Sequence, residues 1–229
     1  MNIGGFQKFS LIDYPGKVGA TLFTQGCNFL CPYCHNPELV DPCLFSAPLS
    51  EAGILSFLAR RRDKLEALTI TGGEPTLQGD LLLFLRQVKR MGYLVKIDTN
   101  GSQPRVLEQL LGERLVDYVA MDIKAPLAKY AAVTRTREMG NKVQESIEIV
   151  MTSGIEYEFR TTVVRSQLTA ADLLAIGTLI QDARLYALQR YLPSKPLDKD
   201  FLRERTFNAE ELEAVSVILK KNIKRVMIR

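Results

Sequence analysis

The chain has 229 residues, 46% of them apolar and 24% charged, an ordinary globular mixture with enough Leu, Val and Ile for a sizeable core and no sign of disorder. Its net charge of +4 is too small to point to nucleic acid, no apolar run is long enough to cross a bilayer, and MNIGGFQKFS lacks the charged and apolar regions of a signal peptide. Four cysteines, three of them bunched, do not form the spread framework of a secreted disulfide protein, so a cytoplasmic protein with metal or redox chemistry is expected.

In chain order, VGATLFTQ (18–25) predicts the first strand, and Ser50 caps a helix reaching to about Arg62. ALTIT (67–71) is the second strand, DLLLFLRQVKRM (80–91) a helix stopped by Gly92, and YLVKIDT (93–99) a strand stopped by Asn100-Gly101. A short helix runs from Pro104 to Gly112, followed by strand YVAMDIK (118–124) and a long connection from Ala125 to Met139. A helix over about 140–152 ends at Gly154, YEFRTTVV (157–164) is a strand, and TAAD (169–172) is a capping box opening a helix to about Asp182. LYALQRYL (185–192) is the sixth strand, Asn208 with Glu211 opens the last helix, and RVMIR can close the chain as a short strand.

Strands alternating with helices imply parallel pairing with right-handed crossovers. Six units over this length fall short of the eight of a closed barrel, so the expected fold is α/β, a partial (β/α)6 TIM-like barrel with a possible extra C-terminal strand. A single domain over 1–229 is expected, with a leader (1–17), a barrel core (18–195) and a C-terminal helix and strand (196–229).

In parallel α/β folds the loops after the strands build the active site. The unusual polar residues follow that rule: the cysteine loop, TGGEP (71–75), DTNG (98–101), MDIK (121–124) and LPSK (192–195) all sit at predicted strand ends, and Arg160 lies inside the fifth strand. Singly, GGEP and DTNG read as turn punctuation, MDIK as a buried strand ending in a solvated lysine, and Arg160 as half of an ion pair. Their common expected edge makes them a candidate site.

GCNFLCPYCHNP (26–37) carries Cys27, Cys31 and Cys34. A structural zinc site would need four ligands, and the only further candidates are His35, adjacent to Cys34, and Cys43. A redox dithiol needs two thiols and leaves the third unexplained. Three thiolates on one loop instead match a cubane iron–sulfur cluster whose fourth iron has no protein ligand. Cys43 reads as an ordinary loop thiol. Arg60 to Arg62 and Lys220 to Arg229 read first as solvated helix ends.

The C-x3-C-x2-C spacing, with Tyr33 before the last cysteine, resembles the radical S-adenosylmethionine (SAM) enzymes. CHNP, GGEP, DTNG and DIK in this order are similar to the activating enzymes of glycyl radical enzymes. The leader GFQKFSLIDYPGK running into TLFTQGCNFLCPYCHNPEL most resembles the anaerobic ribonucleoside-triphosphate reductase activating proteins. The resemblance implies that Cys27, Cys31 and Cys34 hold a [4Fe–4S] cluster whose open iron chelates the amino and carboxylate groups of SAM. It further implies that one electron from the cluster cleaves SAM to methionine and a 5′-deoxyadenosyl radical, which takes hydrogen from a glycine Cα of a partner enzyme.

Carried over by position, Gly72, Gly73 and Glu74 would line the methionyl end, where no Cβ intrudes. Asp98 and Asp122 would lie beside the SAM carboxylate with a small cation between, Lys124 and Arg160 would neutralise that end, Asn100 and Gly101 would complete a turn, and Tyr33 would pack near the adenine. The implied partners are a glycyl radical enzyme, expected to be the anaerobic reductase, and a one-electron donor such as flavodoxin or ferredoxin, with no nucleic acid and no membrane.

One departure stands out. The pyruvate formate-lyase activators carry a histidine after the sixth strand, where this chain reads LPSK, and its only histidine is His35. That contact is absent or replaced, with Lys195 as the candidate. The alternatives are a radical SAM enzyme acting on a small molecule or peptide, and a non-catalytic metal-binding interaction module.

Overall fold

The computed structural model describes every residue except Glu138, which lies in the predicted long connection. Eight strands are present: β1 (Ile3–Ser10), β2 (Gly19–Thr24), β3 (Ala67–Gly72), β4 (Leu94–Thr99), β5 (Tyr118–Asp122), β6 (Glu156–Val163), β7 (Tyr186–Arg190) and β8 (Val226–Ile228). The helices are α1 (Glu51–Ala59), α2 (Leu81–Arg90), α3 (Pro104–Gly112), α4 (Tyr130–Thr134), α5 (Gly140–Thr152), α6 (Ala170–Leu179) and α7 (Ala209–Leu219). The strands are ordered β1 to β8 in one mostly parallel sheet that is not closed, the α/β class expected from the alternation of patterns. The residues group into two compact units, one of 1–28, 38–99 and 105–119, the other of 29–37, 100–104 and 120–229.

In the first unit β2 pairs with β3 in parallel from Gly19↔Ala67 to Thr24↔Gly72, and β3 with β4 from Ala67↔Leu94 to Ile70↔Ile97. Leu22, Leu68, Ile70, Val95 and Ile97 are fully buried, as near-continuous apolar strands covered on both faces must be. Helix α2 buries Leu81, Phe84, Leu85 and Val88, the i, i+3, i+4, i+7 stripe of an amphipathic helix.

Two readings are corrected here. The leader is not a bare lead-in: it contains β1, antiparallel to β2 and broken by two register shifts. IGGFQKFS carries two glycines and no sustained alternation, so its strand character comes from pairing with β2 rather than from its own pattern. Helix α1 ends at Ala59 instead of Arg62, because three consecutive arginines offer no apolar position to continue the buried stripe of Ile54 and Leu58.

In the second unit β6, β7 and β8 pair in parallel, with Phe159↔Tyr186 and Tyr186↔Val226 in register. Both predicted capping boxes form. The Thr169 side chain accepts from the Asp172 N–H and Asp172 reaches back to Thr169; Asn208 and Glu211 do the same for α7. Helices α6 and α7 approach closely at Gly177, where a Cβ would stand 2.2 Å from Leu219 Cδ2. The connection after β5 is not structureless: it holds a 3-10 turn at Leu127–Lys129 and α4, anchored by the buried Tyr130 and Val133. Among the described residues no helix is long and apolar enough to cross a membrane.

Replacing Thr169 with Ala removes the hydroxyl that caps α6, and the expected loss is about 1 kcal/mol. Urea unfolding followed by circular dichroism measures it as a lower midpoint at unchanged slope.

Candidate active site

Within the first unit the site residues stand where β2, β3 and β4 end. After β2 the chain turns at Gly26, with φ +100°. Its N–H donates to Leu39 O at 2.8 Å, and Cys27 follows, partly exposed. The GGEP loop lies directly on this turn. Gly73 N–H donates to Thr24 O and Glu74 N–H to Gly26 O, both at 2.8 Å. Gly72 has φ +114°, and an added Cβ would stand 2.4 Å from Thr24 N; at Gly73 it would stand 2.1 Å from Gly26 O. Both glycines are therefore required by the neighbouring backbone, a reason independent of any ligand.

Glu74 is fully buried. Its Oε1 accepts from Thr76 N–H at 3.1 Å, from the Thr76 hydroxyl and from Thr99 Oγ1 at 2.8 Å, so the carboxylate ties the loop after β3 to the last residue of β4. Asp98 accepts from Thr71 Oγ1 at 3.1 Å and forms an ion pair with Lys96. Lys96, only 3% exposed, is a participant that motif reading missed. The available signal was the pairing of Lys at i with Asp at i+2, which places both on one face of a strand.

In the second unit CPYC forms a tight turn, Cys34 N–H donating to Cys31 O at 3.0 Å. The turn is pinned from outside: Asp198 N–H donates to Pro32 O at 2.9 Å, Leu197 N–H to Cys34 O at 3.0 Å, and Leu30 N–H to Thr134 O at 2.9 Å. Cys31 is buried, Cys34 partly exposed, and neither is in a disulfide. Tyr33 packs edge-on against Tyr191, ring centroids 6.4 Å apart, and tilted against Phe201; its buried hydroxyl lies beside the Cys31 sulfur. His35 stacks on Tyr191 at 5.3 Å, with Nε2 2.9 Å from Leu192 O, so the one imidazole contacts the segment after β7. Lys195 in that segment is exposed.

Asn100 Oδ1 accepts from Ser102 N–H at 2.9 Å, and Gly101, φ +73°, leaves room only for Met121, whose Cε would be 2.1 Å from a Cβ there. This is the predicted turn.

Asp122, at the end of β5, bonds Arg160 Nε at 2.7 Å through one oxygen and Lys124 Nζ at 2.9 Å through the other. Burial alone would raise its pKa, but the two cations outweigh burial and hold the carboxyl well below the usual carboxylate range. Burial likewise works against the Lys124 ammonium, and Asp122 with Cys31 outweighs it, so Lys124 stays charged beyond the ordinary lysine range. Burial pushes the Cys31 thiol up to about 11 although Lys124 pulls it down. Asp122 thus holds two cations beside a thiol.

Cys43 stands apart, exposed on the 3-10 turn Pro42–Leu44 with its N–H donated to Asp41 Oδ1. Among the described residues no three His, Cys, Asp or Glu are grouped as a metal site; Cys27 belongs to the first unit, Cys31 and Cys34 to the second. The donor chemistry fits iron: three thiols outside any disulfide, placed within eight residues of the chain.

Fold and motif together define an α/β iron–sulfur enzyme. A profile of the radical SAM superfamily matches residues 21–175, and the chain belongs to that superfamily, whose cofactors are a [4Fe–4S] cluster and SAM. A Methanocaldococcus jannaschii protein that carries the provisional name of a glycyl-radical enzyme activating enzyme is 36% identical over 99% of this chain and 95% of its own length. A 7-carboxy-7-deazaguanine synthase of Methanospirillum hungatei is 29% identical over 76% of this chain and 73% of its own. The solved structure of Streptococcus suis SuiB bound to SAM shares the fold at a TM-score of 0.69 with 12% identity, covering 89% of this chain and 48% of that one.

Because the Asp122 pKa is depressed, its ion pairs stabilise the fold fully above the unfolded carboxyl pKa of roughly 4 and the gain is lost as pH falls through the lower folded value. Asp122→Asn is expected to cost about 1–3 kcal/mol at neutral pH and to flatten the acid side of the stability curve, as read from thermal melts between pH 2 and pH 7.

Proposed function

We propose that this protein is a glycyl-radical-enzyme activase, and that its partner is an anaerobic ribonucleoside-triphosphate reductase. The single observation that carries the activase reading is the 36% identity running through nearly the whole of both chains to the M. jannaschii relative. The reductase assignment rests on the leader and CHNP resemblance. It works in the cytoplasm, with reduced flavodoxin or ferredoxin as electron donor.

In this reading Cys27, Cys31 and Cys34 hold the cluster, and the iron without a protein ligand takes the amino and carboxylate groups of SAM. When bound, cluster and SAM supply the one-electron chemistry that removes hydrogen from a glycine Cα. The chain's own residues bind and orient. Lys124 offsets thiolate charge at Cys31, and Lys124 and Arg160, both held by Asp122, are the cations that take a carboxylate. Gly72, Gly73 and Glu74 give a rigid loop whose backbone faces the methionyl end, Glu74 acting from inside as its tie to Thr99. Asp98, Asn100 and Gly101 shape the neighbouring turn, and Tyr33, locked between aromatic rings, sets the position of Cys31 and Cys34 beside the adenine.

The M. hungatei relative supports a second reading, a radical SAM enzyme acting on a small molecule. Electron paramagnetic resonance separates the two. After anaerobic reconstitution with iron and sulfide, and mixing with SAM, reductant and the reductase, a glycyl radical signal on the reductase is expected. SAM cleavage with no protein radical would favour the small-molecule reading, and bound zinc with no SAM turnover would overturn both.

A further inference from the structure

We propose that Lys96 is a positioning residue, a built-in counter-ion that holds Asp98 from beneath and lets an anionic group of SAM lie beside that carboxylate without any metal cation. The proposal deepens the reading above and rests on it, with Asp98 beside the SAM carboxylate as the family resemblance implies.

Strand β4 places Lys96 one strand period before Asp98, on the same face and farther from the strand's C-terminal end. Its ammonium reaches along the strand to Asp98 Oδ1, the one carboxylate it pairs with among the described residues. The next residue in register on β3 is Thr69, and the one beyond it on β2 is Thr21. Thr21 donates to Asp13 Oδ2 at 2.6 Å, whereas Thr69 Oγ1 is buried with no partner among the described residues. A row of buried Thr21, Thr69 and Lys96 thus crosses one face of three strands, while the alternate side chains Ile70, Val95 and Ile97 form an apolar opposite face.

Burying an ammonium is costly unless a partner compensates, and an apolar residue at this position would avoid the cost. The pair acquires a use if Asp98 must stay ionised, fixed and electrically neutral overall. A carboxylate facing another carboxylate repels it, and an uncompensated one recruits a metal cation from solution. Lys96 supplies that charge from within the chain.

Equilibrium dialysis of SAM against the cluster-reconstituted protein tests this at constant ionic strength, with choline, Na+, K+ or Mg2+ as the only added cation. Wild type is expected to bind SAM equally in all four. Lys96→Met is expected to bind roughly 10- to 100-fold more weakly in choline, the scale on which residues supporting a binding group act, and to recover in part with K+ or Mg2+; Lys96→Arg is expected to remain independent of the cation. Thermal melts establish that the variants fold, and the wild-type series decides alone if they do not. A wild type that needs a metal cation, or a Lys96→Met protein that matches wild type in choline, overturns the proposal. A wild type that binds no SAM at all sinks the activase reading as well, so the two failures are distinguishable.

Discussion

Two backbone carbonyls, Thr24 O and Gly26 O, hold the first unit's site together by accepting the N–H groups of Gly73 and Glu74. The approach is closer than any Cβ would permit, and it fixes where β3's loop begins relative to the residue that precedes Cys27. Glu74 carries the constraint onward: buried and accepting from Thr76 and Thr99, it makes the end of β4 part of the same rigid piece. Asp98 is one residue from that tie. A loop set by backbone contacts rather than by long side chains costs little entropy to present, the preorganisation that binding a flexible ligand rewards.

Charge compensation follows one rule in both units. Asp98 has Lys96, and Asp122 has Lys124 and Arg160. Neither carboxylate is a bare anion, and each is gripped by a cation from its own strand or from the strand nearby in its unit. The compensating groups are themselves partly or wholly buried, so salt screens these pairs less than the surface pairs such as Arg86 with Glu113. Ion pairs of this kind set orientation more than they set stability.

Much of the fold was legible because its signals are local. Short apolar runs of five to eight residues marked β2 to β7, and TAAD and Asn208 with Glu211 marked helix starts that the structure shows as complete capping boxes. Strand β1 was not legible, since its two glycines and mixed polarity yield no period and only pairing with β2 makes it a strand. Helix α4 was hidden in a loop-like stretch for a similar reason: five residues are too few to show a period, and burial of Tyr130 is a tertiary fact. For the site, motif spacing singled out the cysteines and the charged residues; the structure adds the Asn100 side-chain bond to the Ser102 N–H and the pairing of Asp122 with Lys124 and Arg160, which spacing alone did not indicate. Lys96 escaped because a lysine inside a strand ordinarily points to water, and only the buried pairing with Asp98 reveals otherwise. The glycines of GGEP, read as letting a ligand approach, are also required by the neighbouring backbone of Thr24 and Gly26, which no local pattern shows.

The unequal exposure of the cysteines has a consequence for how the protein ages in air. Cys43 lies open on its turn while Cys31 is 6% exposed and held as a neutral thiol by its surroundings. Sulfenic acids and mixed disulfides form at accessible thiolates, so oxidant reaches Cys43, and the partly exposed Cys27 and Cys34, before Cys31. Of the three cysteines in the motif, Cys31 is the last to be lost when the protein is stored without iron.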